Sequence, residues 1–136
     1  MSRTFHLRIY AADRTFYEGE AEYVSIPTVD GEYGVMAYHE NLVVSIVAGT
    51  LKYRFPAEEM QIAFVSPGMM RVENNDVLIL VETVERPEEI DENRSQERAR
   101  EAREAMALKR SRQEYLLAEA TLQRAVNRLK VKKRNL

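Results

Sequence analysis

Apolar and polar side chains alternate along most of the first 84 or so residues, and that period of two predicts strands. In Phe5-His6-Leu7-Arg8-Ile9-Tyr10 the alternation places Phe5, Leu7 and Ile9 on one face. Asp13-Arg14-Thr15 turns the chain into a second extended piece at Phe16-Tyr17-Glu18-Gly19. Glu22 to Ile26 alternates again, and Pro27, which has no N–H for a ladder, is expected to end that strand. Asp30-Gly31-Glu32-Tyr33-Gly34 reads as a turn, its Asp-Gly pair suited to positive φ. Leu42 to Val47 reads as a buried strand, and Leu51, Tyr53 and Phe55 share one face of the next. Met60 to Val65, Met69 to Glu73 and Val77 to Thr83 follow, with Asn74-Asn75-Asp76 as a tight connection. Short strands separated by turns at intervals of roughly 8–12 residues predict an antiparallel β-sandwich or barrel. The lack of a crossover helix argues against a nucleotide-binding α/β domain.

At Arg86-Pro87-Glu88-Glu89-Ile90-Asp91-Glu92-Asn93-Arg94 the pattern changes, and beyond Pro87 there is neither Gly nor Pro. Pro87 suits the first turn of a helix, and the acidic run after it lies where the helix dipole is positive, so a helix is expected to start here. Ser95, Ala99, Ala102 and Met106 then fall on one narrow face, and Ala118, Leu122, Ala125 and Leu129 repeat the spacing. Two such stripes predict a close-packed antiparallel hairpin reversing between Lys109 and Gln113. No Gly or Pro marks that turn, so one unbroken helix of about 40 residues is the alternative. The expected organisation is a β domain over residues 1–86 and a two-helix domain over 87–136: β plus α, an N-terminal antiparallel β-sandwich or barrel followed by a C-terminal α-helical hairpin. Alanine methyls bury little area at about 25 cal/mol per Å², so opening such a hairpin should cost only a few kcal/mol.

The net charge of -2 conceals an asymmetry. Residues 1–87 carry 7 Lys/Arg against 13 Asp/Glu, net -6, whereas residues 88–136 carry 13 against 9, net +4. The end of the chain, Lys130-Val131-Lys132-Lys133-Arg134-Asn135-Leu136, is its most basic part. Such an arm fits an acidic protein surface, a nucleotide or a nucleic acid; it also fits cations that favour a helix C-terminus. Cysteine is absent, which excludes disulfides, zinc-thiolate sites and a thiol nucleophile. No run approaches the roughly 20 apolar residues needed to span a bilayer, and the N-terminus lacks the layout of a signal peptide. With only His6 and His39, and no GxSxG, Walker A, HExxH or CxxC motif, the sequence points away from an enzyme and from a required metal.

One constellation on the helices carries recognition chemistry. Asp91 and Arg94 stand three apart on the first helix, and Arg124 and Arg128 four apart on the second, so each pair shares a face. In an antiparallel hairpin the start of the first helix meets the end of the second, and three guanidinium forks gather around one acceptor suited to phosphate oxygens. A solvated helix surface with i,i+4 pairs such as Arg100 with Glu104 is the alternative reading.

Ile26-Pro27-Thr28, Asp30-Gly31-Glu32-Tyr33-Gly34, His39 and Val65-Ser66-Pro67-Gly68, followed by two charged Ala-rich helices, resemble the epsilon subunit of the bacterial F-type ATP synthase across essentially the whole chain. Around the histidine, the family's usual Pro-Gly-His-Ala-Pro reads Ala37-Tyr38-His39-Glu40-Asn41 here. The resemblance implies a ten-stranded β-sandwich with a two-helix domain, and a non-catalytic place in the central stalk. It implies binding to the gamma subunit and the c-ring, and helices that swing toward the catalytic alpha and beta subunits to restrain ATP hydrolysis. It also implies a peripheral position without a membrane span, at the cytoplasmic face of a bacterial plasma membrane, or at a plastid thylakoid as the alternative. Several family members bind ATP as a regulatory ligand through Ile/Leu-Asp-x-x-Arg-Ala on the first helix and two arginines four apart on the second. Ile90-Asp91-Glu92-Asn93-Arg94-Ser95 matches the first with Ser95 in the Ala place, Arg124 and Arg128 match the second, and Glu85 stands where those members place an acidic contact. The competing function is a regulatory binding module with a basic helical arm for nucleic acid, although the β domain is net acidic. The stalk reading assigns no nucleic-acid partner.

Overall fold

Every period-two segment becomes a strand, in a computed structural model that describes residues 3–108 and 110–134. The strands are β1 (Phe5–Tyr10), β2 (Thr15–Ala21), β3 (Tyr23–Thr28), β4 (Gly31–Val35), β5 (Leu42–Ile46), β6 (Gly49–Arg54), β7 (Gln61–Val65), β8 (Gly68–Glu73), β9 (Asp76–Val81) and β10 (Val84–Glu85). They form two five-stranded sheets, ordered β2-β1-β9-β8-β5 and β10-β7-β6-β3-β4. The chain divides into two compact units, Met1–Glu85 and Arg86–Leu136.

Alternation builds the sandwich core. Phe5, Leu7 and Ile9 from β1, Val77, Ile79 and Val81 from β9, and Met70 and Val72 from β8 meet Val24, Ile26, Leu51, Tyr53, Ala63 and Val65 from the other sheet in one buried cluster. Leu51 and Tyr53 are buried as expected, and Phe55 packs against the cluster edge. The pairing is antiparallel with one exception: β1 runs parallel to β9, with Leu7 level with Val77 and Ile9 with Ile79. Asn74 and Asn75, at φ 49° and 63°, make the two-residue turn between β8 and β9, the backbone a tight hairpin requires and asparagine tolerates.

Four local expectations need correction. Pro27 does not end β3, which continues to Thr28. Its neighbour β6 pairs only as far as Ser25, so the position of the missing N–H faces no β6 partner there, while the Pro27 carbonyl accepts the Val47 N–H at 3.0 Å. Residues 31–35 form β4 rather than a turn; the reversal is Val29-Asp30, tightened by the Thr28 hydroxyl donating to the Gly31 carbonyl at 2.6 Å, with Gly31 at φ 114°. β5 is an edge strand and not a buried one: it pairs only with β8, and Val43 is 65% exposed. Last, the α-helix begins at Glu92, because Pro87–Glu89 closes as a single 3-10 turn and Ile90, at φ -82° and ψ 126°, is extended.

The outward face of the second sheet carries a polar cluster. The Ser25 hydroxyl donates to Glu32 Oε1 at 2.6 Å and Lys52 Nζ donates to Oε2 at 3.1 Å. These bonds, Ser25 first and Lys52 next, hold the Glu32 carboxyl below its ordinary value of 4.5. A depressed folded-state pKa contributes stability that is present above the unfolded value and is lost as pH falls through the folded one. Thermal melts should therefore show the protein losing stability as pH falls below about 4.5, and Glu32→Gln should flatten part of that acid-side slope. An unchanged slope would remove this cluster from the stability account. No helix among the described residues is long and apolar enough to cross a membrane.

Candidate functional site

The helical unit is assembled by two side-chain caps. The Asp91 carbonyl accepts the Ser95 N–H at 3.0 Å and its Oδ1 accepts the Arg94 N–H at 3.0 Å, starting α1 (Glu92–Leu108). Ser111 repeats the arrangement for α2 (Arg112–Arg134): its Oγ accepts the Glu114 N–H and its carbonyl the Tyr115 N–H, both at 3.0 Å. The helices are therefore separate, and the unbroken alternative is excluded. The signal for the break was Ser111-Arg112-Gln113-Glu114, the S-x-x-E sequence that often opens a helix, which no Gly or Pro advertised. Lys109, the expected first residue of the reversal, lies outside the described residues.

The hairpin closes on small side chains. Ser95, Ala99 and Ala102 of α1 and Ala118 and Ala125 of α2 are buried, with Met106, Leu122 and Leu129 half-buried beside them. Lys132 Nζ donates to the Pro87 carbonyl at 3.0 Å, tying the end of α2 to the turn before α1, and the residues can be counted from there along the two antiparallel helices. Ser95 then stands level with Ala125, and Ala102 with Ala118. Lys132, which the sequence reading did not single out, shares one ridge with Arg124 and Arg128 at spacings of four.

In that register Asp91 stands level with Arg128, and Arg94 level with Arg124 and Ala125. Asp91, Arg94, Arg124 and Arg128 thus lie on helix turns toward the open end of the hairpin, Arg124 and Arg128 half-buried and Asp91 and Arg94 exposed. Capping uses only part of the acceptor capacity of the Asp91 carboxylate. Ile90 is buried, an apolar neighbour to the charged group. Glu85 lies on β10 in the other unit, half-buried and paired with Phe64. Arg100 and Glu104 form the expected i,i+4 pair at 2.9 Å. Lys132, Lys133 and Arg134 occupy the last turn of α2, where the dipole favours cations; Asn135 and Leu136 lie outside the described residues.

His39 has a local structural role in the β unit. Its Nε2 lies 3.2 Å from the Tyr33 hydroxyl and its Nδ1 2.9 Å from the Glu40 carbonyl. A carbonyl only accepts, so Nδ1 carries the proton and Nε2 accepts from Tyr33. The loop it braces holds Tyr38 at φ 62°, with the Tyr38 amide bound by Asn75 Oδ1 at 2.7 Å. Tyr38 thus takes the left-handed backbone that ordinarily favours glycine.

The outward face of the first sheet, unremarked in the sequence reading, mixes apolar side chains with arginines. Val43, Arg71, Leu78 and Arg8 follow one another across β5, β8, β9 and β1. Leu80 and Val43 are exposed. Arg8 Nε, Arg71 Nε and Asp76 Oδ1 are buried yet lack a hydrogen-bond partner. The signal was available in the alternate residues of Val77 to Val81, which are apolar on both faces.

A ten-stranded sandwich joined to a separate helical hairpin, with Lys132, Lys133 and Arg134 in the last turn of the second helix, defines the class: a small two-unit β plus α protein. The family profile for the ATP synthase, Delta/Epsilon chain, beta-sandwich domain covers residues 4–87, and that for the long alpha-helix domain of the same chain covers residues 88–133. The chain belongs to the ATP synthase Delta/Epsilon chain family. It is 41% identical over 132 residues to the ATP synthase epsilon chain of Caldanaerobacter subterraneus subsp. tengcongensis, covering 96% of this chain and 95% of that one. It is also 41% identical over 133 residues to the epsilon chain of Shouchella clausii, covering 96% of each. Among solved structures, a chain of the Euglena gracilis mitochondrial ATP synthase OSCP/F1/c-ring assembly shares the fold at TM-score 0.81 and 22% identity, covering 91% of this chain and 78% of that one.

Proposed function

We propose that this chain is the non-catalytic epsilon subunit of an F-type ATP synthase central stalk, coupling the catalytic head to the c-ring and restraining ATP hydrolysis through a movable, ATP-sensing helical hairpin. The sensing role is supported by the placement of Asp91, Arg94, Arg124 and Arg128 toward the open end of a hairpin closed mainly by alanines. The arginines offer forked donors to phosphate oxygens, while Asp91 suits the hydroxyl or amino groups of a nucleoside. ATP bound there favours the compact hairpin by RT ln(1 + [L]/Kd), and low ATP releases it to extend and brake the motor. ATP acts as a regulatory ligand, not a substrate.

For the stalk role, the support is the outward face of the first sheet. Its apolar residues gain by being covered, and the Arg8 Nε–H, buried without a hydrogen-bond partner, would take an acceptor from a covering chain, gamma or the c-ring. The reading places the protein peripherally at the cytoplasmic face of a bacterial plasma membrane.

The decisive experiment is calorimetric titration of ATP into the full chain and into Arg124→Ala/Arg128→Ala. Asp91 is the poorer target because its loss would also uncap α1. Charge-assisted hydrogen bonds contribute about 1.5–3 kcal/mol each, so the double variant should bind at least about tenfold more weakly. Unchanged affinity would remove the nucleotide site while leaving the stalk role standing.

A further inference from the structure

The hairpin is held unevenly along its length. At the tip, Leu108, Tyr115, Leu116 and Leu117 remain exposed, Leu117 at 68%, so little apolar surface is gained there. Through the middle the contact is mostly alanine. At the hinge end the character changes: Val131 is 0% exposed, Ile90 4%, and Pro87 is buried. The C-terminal end of α2 packs on the 3-10 turn that begins the unit. One carbonyl joins the two. Pro87 O closes the turn by accepting the Ile90 N–H at 3.2 Å and also accepts Lys132 Nζ at 3.0 Å, filling both lone pairs. The turn is itself braced by Glu89, whose Oε1 accepts the Arg86 N–H at 2.8 Å.

We propose that Lys132 and Val131 form a latch on the hinge turn, and that this latch, rather than the alanine stripe, sets the balance between compact and open hairpin. The stripe supplies closeness of approach but few contacts per residue. The latch supplies a half-buried charge-assisted bond and the best-buried apolar side chain of α2. Lys132 has the last carbonyls of its own helix within its natural reach and crosses to another element instead. Because it continues the Arg124–Arg128 ridge by one turn, an anion held by those arginines draws the same ridge toward α1 and tightens the latch. That coupling, unlike the latch itself, rests on the nucleotide reading above.

The absence of cysteine makes the test direct. Cysteines replacing Gln96 and Gln123, exposed positions that stand level on the two helices, take spin labels in the full-length chain, and electron–electron distances report the compact and open populations. Losing one charge-assisted bond predicts a rise in the open fraction of about tenfold or more in Lys132→Met, which keeps the aliphatic stem. Val131→Ala should open the hairpin too, Lys132→Arg should restore closure, and Leu117→Ser at the tip should change nothing. Helix content by circular dichroism separates opening from melting. Unchanged distances in both Lys132→Met and Val131→Ala overturn the latch, as does opening by Leu117→Ser alone. If Lys132→Met opens the hairpin while ATP alters no distance in the parent, the latch stands and the nucleotide reading falls. If ATP closes the parent but Lys132→Met behaves as the parent does, the reverse holds.

Discussion

Gly68→Ala is expected to destabilise the β unit strongly. Gly68 opens β8 between Ile46 on one side and Val81 on the other. A Cβ at that position would overlap the Leu80 carbonyl oxygen and come within 2.8 Å of Val81 Cγ1 and 2.9 Å of Val81 Cα. Two of those atoms are backbone in a central strand, so no rotamer change relieves the clash. Either the ladder between β8 and β9 separates at this point or the strands shift. Overpacking of this kind costs about 3 kcal/mol or more, against the 5–15 kcal/mol typical of a whole domain. The melting temperature should then fall by more than about 12 °C. A drop of only a degree or two would mean that the start of β8 is freer to move than its pairing indicates.

The second large effect concerns the interface between the helices. Ala125 is 1% exposed and stands level with Ser95, so Ala125→Leu places three extra carbons where the helix backbones approach. Overpacking there should cost about 1–3 kcal/mol, roughly 5- to 150-fold in the closed–open equilibrium. ATP affinity should fall with it although no proposed ligand is altered. On the proposal that the open arm brakes the assembled synthase, Ala125→Leu should lower the hydrolysis rate. A chain ending at Arg86, which keeps the entire sandwich core and loses the arm, should raise it. The opposite signs matter: equal effects in both variants would point to general damage, and no change in the truncated form would count against a brake.

These expectations draw on two kinds of information. Local chemistry was written plainly along the chain. The alternation of Phe5, Leu7 and Ile9 predicted β1 and its buried face, because a period of two leaves an extended chain only one way to bury three apolar residues together. The loss of Gly and Pro after Pro87, with Ser95, Ala99, Ala102, Ala118 and Ala125 at helical spacing, likewise predicted two helices and the faces by which they pack. Asp91, Arg94, Arg124 and Arg128 followed from the same spacing as a candidate group, and ATP titration is its test.

Other features were invisible locally or were misread. Pro27 looked like a strand terminator, but whether a missing N–H matters depends on whether a neighbour faces it, and β6 has already stopped pairing there. Leu42 to Ile46 looked fully buried, yet its place at the sheet edge follows from strand order, which no single segment contains. Acidic residues after Pro87 looked like a first helical turn, but the Asp91 carboxylate caps α1 one turn later.

By itself, then, the chain determined what its neighbours along the backbone could enforce: strand and helix periods, a tight connection at Asn74-Asn75-Asp76, the joint near Pro87 and the sign of charge on each part. The tertiary structure alone decided which edges pair, that β1 lies parallel to β9, and that Lys132 shares the Pro87 carbonyl with Ile90. Those choices join residues 45 to 70 positions apart, and their energies exist only once packing has brought the partners within a few ångströms.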